Sequence, residues 1–200
     1  MEQSSFLYAY DGIARRILDG NGCQDVRIEA ISGKLTDHYD PENGVLRLSS
    51  EVYGSTSIAA LGVAAHEAGH AIQDAQSYAP LRIRSTLVPI ANIGSGAAIP
   101  LFMLGWHTKL GLARVMRAKR VSLRAKGMTV LFYVVTLPVE FNASGRAVAV
   151  LSESYLPEEE VRGVKAVLSA AALTYVAAAL QALLQLLRLI LLSSNNRRRD

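Results

Sequence analysis

His66 and His70 stand four residues apart, with Glu67 beside the first, in the run His66-Glu67-Ala68-Gly69-His70. On a helix that spacing puts both imidazoles on one face, where they can share one metal ion. It also lets the Glu67 carboxylate reach a water held by the same ion. The chemistry is metal-assisted hydrolysis. Zinc takes imidazole and carboxylate ligands, keeps one position for water and lowers that water's pKa. Two histidines are an incomplete set, and the remaining candidates are His38, His107, Glu140 and Glu153. The extended pattern with glycine and histidine three and six residues past the second histidine is excluded, because Gln73 and Gln76 occupy those positions.

The motif needs a helix to display it. Ser55, Thr56 or Ser57 can cap one by accepting orphan N–H groups. Small and apolar residues then run from Ile58 to Ala65 without a charge, which predicts a buried helix facing a cleft. Gly69 costs about 1 kcal/mol against alanine in a helix interior, so a close approach by another chain or a substrate is expected there. Upstream, Asp11 to Asp19 has helical spacing of Ile13, Ala14, Ile17 and Leu18, and Gly20-Asn21-Gly22 stops it. Gln24 to Ile31 and Val45 to Ser49 alternate apolar and polar residues, with Asn43-Gly44 as a hairpin turn before the second run. The expectation is a small sheet just before the metal helix. Its last strand, 45–49, is expected at an edge, where an extended peptide could add by main-chain hydrogen bonds.

Downstream the composition changes. Residues 1–80 carry 11 acids and 5 bases, whereas 81–200 carry 6 acids and 16 bases together with the long apolar runs. Thr86 to Trp106 holds 21 uncharged residues and Ala166 to Leu187 holds 22, each long enough to span a bilayer. Pro89 and Pro100 predict a kinked or broken first span. Residues 107–127 hold seven bases and no acid, the pattern of a basic amphipathic helix on a membrane surface. The apolar run 128–139 leads to Glu140, and Arg197-Arg198-Arg199 reads as a basic anchor. Bases flanking apolar runs point to membrane lipid. Nucleic acid is not expected as a partner, since interleaved aromatics and a binding motif are missing. One cysteine, Cys23, allows no internal disulfide and reads as a buried apolar residue. The first residues lack the pattern of a cleavable signal. The expected division is residues 1–85, a metal-helix unit with the small sheet, and residues 86–200, a membrane-associated helical region whose segment 128–150 completes one catalytic domain.

These motifs resemble a known family. His66-Glu67-Ala68-Gly69-His70-Ala71-Ile72-Gln73-Asp74 and Leu137-Pro138-Val139-Glu140-Phe141-Asn142-Ala143-Ser144 are similar to the YugP-type membrane zinc metallopeptidases. So are Asp37-His38-Tyr39-Asp40-Pro41 and the run Leu173 to Leu180, and the resemblance extends from about Ile13 to Leu192. It implies a gluzincin-type zinc metalloendopeptidase, mainly α with a small β-sheet (α+β): a zincin-like core with two or three membrane-associated helices. It implies zinc (Zn2+) held by His66, His70 and Glu140, with Glu67 as general base. It further implies that Asp74, Asn142 and Ser144 steady the ligands from behind, with Asp74 orienting a ligand imidazole. Ser144 stands where the family often has aspartate. Members usually begin with a membrane helix, which is not seen here, and 107–127 is more basic than the family's apolar segment. His38, Tyr39 and Tyr155 are candidates for stabilising the oxyanion or touching substrate. The expected partners are a peptide or protein substrate and membrane lipid, and the expected location is a membrane crossed more than once, with the side of the site unassigned. A second reading is a non-enzymatic membrane scaffold or membrane-surface binding protein with a structural or incidental zinc.

Overall fold

The computed structural model describes residues 10–88 and 112–196, and the side chains of 12–88 and 123–191. Most of the expected span 86–106, His107 and the terminal arginines Arg197–Arg199 lie outside the described residues. In chain order come α1 (Tyr10–Gly20), β1 (Arg27–Ile31), β2 (His38–Asp40), β3 (Val45–Ser49), α2 (Ile58–Ala75), α3 (Leu112–Ser154) and α4 (Glu158–Asn196). The fold is mainly α with one small three-stranded sheet.

The sheet order is β1-β3-β2, with β1 parallel and β2 antiparallel to β3. The expected edge is therefore wrong: β3 is the central strand. The reason is visible in its side chains. Val45, Leu46, Leu48 and Ser49 are all buried, which suits a strand paired with β1 on one side and β2 on the other. The β2–β3 turn falls at Asn43-Gly44 as expected, with Gly44 at φ +60°, a conformation glycine adopts at little cost. Asp40 organises this turn. Its carboxylate accepts from the Glu42 and Asn43 N–H groups, the Asn43 amide and the Arg47 guanidinium. The Asn43 and Arg47 hydrogen bonds hold its carboxyl well below the usual range.

The chain divides into two compact units: Met1–Leu81 with Pro138–Leu173, and Arg82–Leu137 with Thr174–Asp200. Residues 138–173, which lie beyond the 85/86 division, thus group with the first 81. In the first unit Ile13, Ile17 and Leu18 of α1, Leu46 and Leu48 of β3, and Leu61, Ala64, Ala68 and Ile72 of α2 share one core. Leu151 of α3 and Val164 and Leu168 of α4 join it. Cys23 is buried in that core. In the second unit Lys126 Nζ donates to Gln185 Oε1 at 2.6 Å, which gives a polar partner to a glutamine inside the apolar run.

Residues 112–127 of the basic stretch and the apolar run 128–139 belong to one helix, α3, which continues through Pro138. Among the described residues two stretches are long and apolar enough to cross a membrane by length and composition, Leu123–Ser154 and Glu158–Leu191.

Candidate metal centre

Helix α2 starts where Ser57, in extended backbone, accepts from the Ala60 N–H at 3.1 Å. This satisfies one of the orphan donors of the first turn. The helix then turns a face of small residues inward. At Gly69 an added Cβ would lie 2.7 Å from the Ala143 carbonyl oxygen of α3. The close approach expected at Gly69 is therefore made by the chain's own backbone, not by a substrate. That approach sets the distance between the two helices, and with it the distance between the side chains they display.

Around this contact the displayed side chains meet. His66 Nε2 lies 3.2 Å and His70 Nε2 3.8 Å from Glu140 Oε2, and one ligand atom from each residue falls within 4.8 Å of the others. Tetrahedral ligands about 2.0–2.1 Å from a zinc ion lie about 3.3 Å from each other, so these separations suit one ion. His70 and Glu140 are only 7% and 3% exposed. A buried carboxylate facing two imidazoles needs a cation or protons to balance it, and two imidazole nitrogens with one carboxylate oxygen form a zinc donor set.

The second nitrogen of each imidazole is also occupied. His66 Nδ1 lies 3.1 Å from Ser144 Oγ, and His70 Nδ1 lies 3.0 Å from Gln73 Oε1. Asp74, expected to orient an imidazole, instead accepts from the Tyr39 hydroxyl at 3.0 Å. The helix explains this. Gln73 and Asp74, three and four positions after His70, flank its face on opposite sides, and Asp74 lies on the side of Tyr39 in β2. Burial and the Asp74 carboxylate raise the Tyr39 phenol above its usual range, so it stays a donor.

Glu67 Oε2 accepts from the Tyr39 backbone N–H at 3.2 Å. Burial pushes the Glu67 carboxyl up to about 7, and the Glu140 and Asp37 carboxylates add to the rise; His66 and the Tyr39 N–H pull it down. Of the other expected residues, Asn142 accepts from Gln73 Nε2 at 2.9 Å and from Arg146 Nε at 2.7 Å. His38 is exposed on β2, its Nδ1 2.7 Å from the Thr36 carbonyl. Tyr155 packs against the apolar core, and Glu153 is exposed. Gln73, Gln76 and Arg146 were not singled out as functional from sequence. The signal for Gln73 was its place three residues after His70 on the ligand face, in a helix otherwise lined with alanine.

The sequence profile of a family described as "Putative neutral zinc metallopeptidase" matches residues 3–194. A relative from Bacillus subtilis (strain 168), "Putative membrane protease YugP", is 47% identical over 189 residues, covering 92% of this chain and 80% of that protein. No solved structure gives a significant match.

Proposed function

The chain belongs to this zinc metallopeptidase family, the YugP-type group, and from that premise we propose that it is a membrane-bound endopeptidase whose metal ligands are His66, His70 and Glu140. The observation that carries the reading is the convergence of those three side chains in a buried setting, with Glu67 on the same helix turn. Zinc, when bound, supplies a Lewis acid for the scissile carbonyl and a more acidic water. Glu67 would accept a proton from the attacking water and return it to the leaving amine. The Tyr39 N–H steadies the Glu67 carboxylate, and the Tyr39 hydroxyl and Asp74 tie β2 to α2.

Substrate binding uses β2. With β3 central, β2 is an edge strand, and its Tyr39 N–H turns to Glu67 rather than to β3. An extended peptide added along that edge would bring its backbone beside the catalytic carboxylate. Membrane attachment through α3 and α4 is supported by their two apolar stretches and by the name of the relative.

The test uses purified full-length protein in detergent and an unstructured protein substrate. Glu67→Gln keeps zinc and lowers cleavage by about 10²–10⁴-fold, the usual worth of a general base. Glu140→Ala loses zinc and activity together. Cleavage at the wild-type rate in Glu67→Gln ends the proposal.

A further inference from the structure

We propose that Gln73 is a positioning residue that sets the tautomer of His70 and locks the two ligand-bearing helices in register. The inference rests on the reading of His70 and Glu140 as metal ligands. Gln73 is completely buried, 0% exposed, and a buried amide costs stability unless its hydrogen bonds are made. Its amide makes three hydrogen bonds. Oε1 faces His70 Nδ1 at 3.0 Å, while Nε2 donates to the Val139 carbonyl and to Asn142 Oδ1, each at 2.9 Å.

The orientation of this amide follows from its neighbours. The Val139 carbonyl can only accept, so the group facing it is the NH₂. Asn142 is oriented in the same way, because its Oδ1 also receives the Arg146 Nε donor at 2.7 Å. Arg146 in turn donates to Gln76 Oε1 at 2.7 Å, one helical turn after Gln73. The Arg146 guanidinium has no acceptor capacity, so the polarity of the whole relay is fixed from its cationic end. It runs Arg146 to Asn142, Gln73 to Asn142 and Val139, and His70 to Gln73. The last bond requires the proton of His70 on Nδ1, which leaves the Nε2 lone pair directed at the shared site.

On its Nδ1 side His66 has no equivalent constraint. Its Nδ1 partner is the Ser144 hydroxyl, which can donate or accept and fixes no tautomer. Gln73 also bonds the carbonyl of Val139, next to Glu140 along α3, so one amide touches the backbone beside one ligand and the ring of another. A carboxylate in place of Gln73 could accept from His70, but it could not donate to Val139 and Asn142. The amide is the side chain that does both.

The chain has four histidines, which makes ¹⁵N-histidine NMR of the zinc-free full-length protein in detergent tractable. In wild type the His70 ring should show a protonated Nδ1, and Gln73→Met should show mixed tautomers. In parallel, competition of Zn2+ against a chromophoric chelator should show Gln73→Met weakened by about 10–100-fold. Gln73→Glu restores an acceptor for Nδ1 and should recover most of that affinity while lowering Tm. If Gln73→Met does not fold, wild type and Gln73→Glu still decide the matter. A His70 ring protonated on Nε2 in wild type overturns the proposal, as does a zinc affinity in Gln73→Met or Gln73→Glu that contradicts this order. Wild type that binds no zinc would instead overturn the ligand assignment, while the tautomer measurement would still judge Gln73.

Discussion

Helix α2 and the last part of α4 are both apolar, and the fold treats them in opposite ways. Eleven of the 18 residues of α2 are buried, most of them alanine or glycine. Beyond residue 173, α4 exposes Leu180, Leu183, Leu184, Leu187, Ile190 and Leu191. Small side chains let two backbones meet, as at Gly69 and Ala143, and a close backbone approach brings polar groups on both helices within hydrogen-bonding reach. Large side chains hold neighbours apart and present apolar area outward, which suits a lipid surrounding rather than a protein partner. The same hydropathy therefore encodes a polar site in one place and an outward-facing apolar stripe in the other, and residue size separates the two.

The largest effect should come from charging the leucine stripe. Leu184→Arg together with Leu187→Arg should cost about 5–7 kcal/mol of insertion free energy at the middle of a span, read as loss of the protein from the membrane fraction. Full retention would mean that this face meets something other than lipid. Next is the proton balance of the buried site. Glu67 has its folded pKa raised from 4.5 to about 7, so the folded chain holds a proton that the unfolded chain releases. Zinc-free protein should then be most stable below pH 4.5 as far as this group is concerned, and lose up to about 3 kcal/mol as pH rises from there to about 7. Glu67→Gln should flatten that part of a Tm-against-pH curve; an unchanged slope would assign it to another group. Gly69→Ala tests the small-residue face. Alanine is the better helix former by about 1 kcal/mol, but its methyl meets the Ala143 carbonyl, and overpacking of this kind costs about 1–3 kcal/mol. A net fall in Tm with weakened zinc binding is expected, whereas a rise in Tm would show that the helices yield. The smallest effect is Ser144→Ala, which removes the His66 Nδ1 partner and should weaken zinc by about tenfold. Ser144→Asp should tighten it, measured by the same chelator competition.

Much of this was legible in the chain. The metal helix, a cap within Ser55 to Ser57, the Asn43-Gly44 turn and the helix carrying Ile13 and Ile17 all follow from spacing and turn chemistry within a few residues. The order of the sheet was not legible. An alternating run at 45–49 fits an edge or a centre equally well until the partners on both sides are known, and here β1 and β2 flank it. The role expected for Asp74 depended on a resemblance to other chains. The rotation of one residue around α2 gives His70 to Gln73 and Asp74 to Tyr39 instead.

The sequence by itself determined the pair His66 and His70 and the carboxylate beside them, because helical periodicity is local and brings those groups together wherever the helix goes. Spacing left open which acid meets them; the family resemblance pointed to Glu140, and the tertiary structure brings it there. Glu140 arrives from 74 residues beyond His66, while Glu153 on the same helix faces outward. The choice rests on Gly69 against Ala143 and on Gln73 against Val139 and Asn142, contacts between distant segments that no spacing along the chain records.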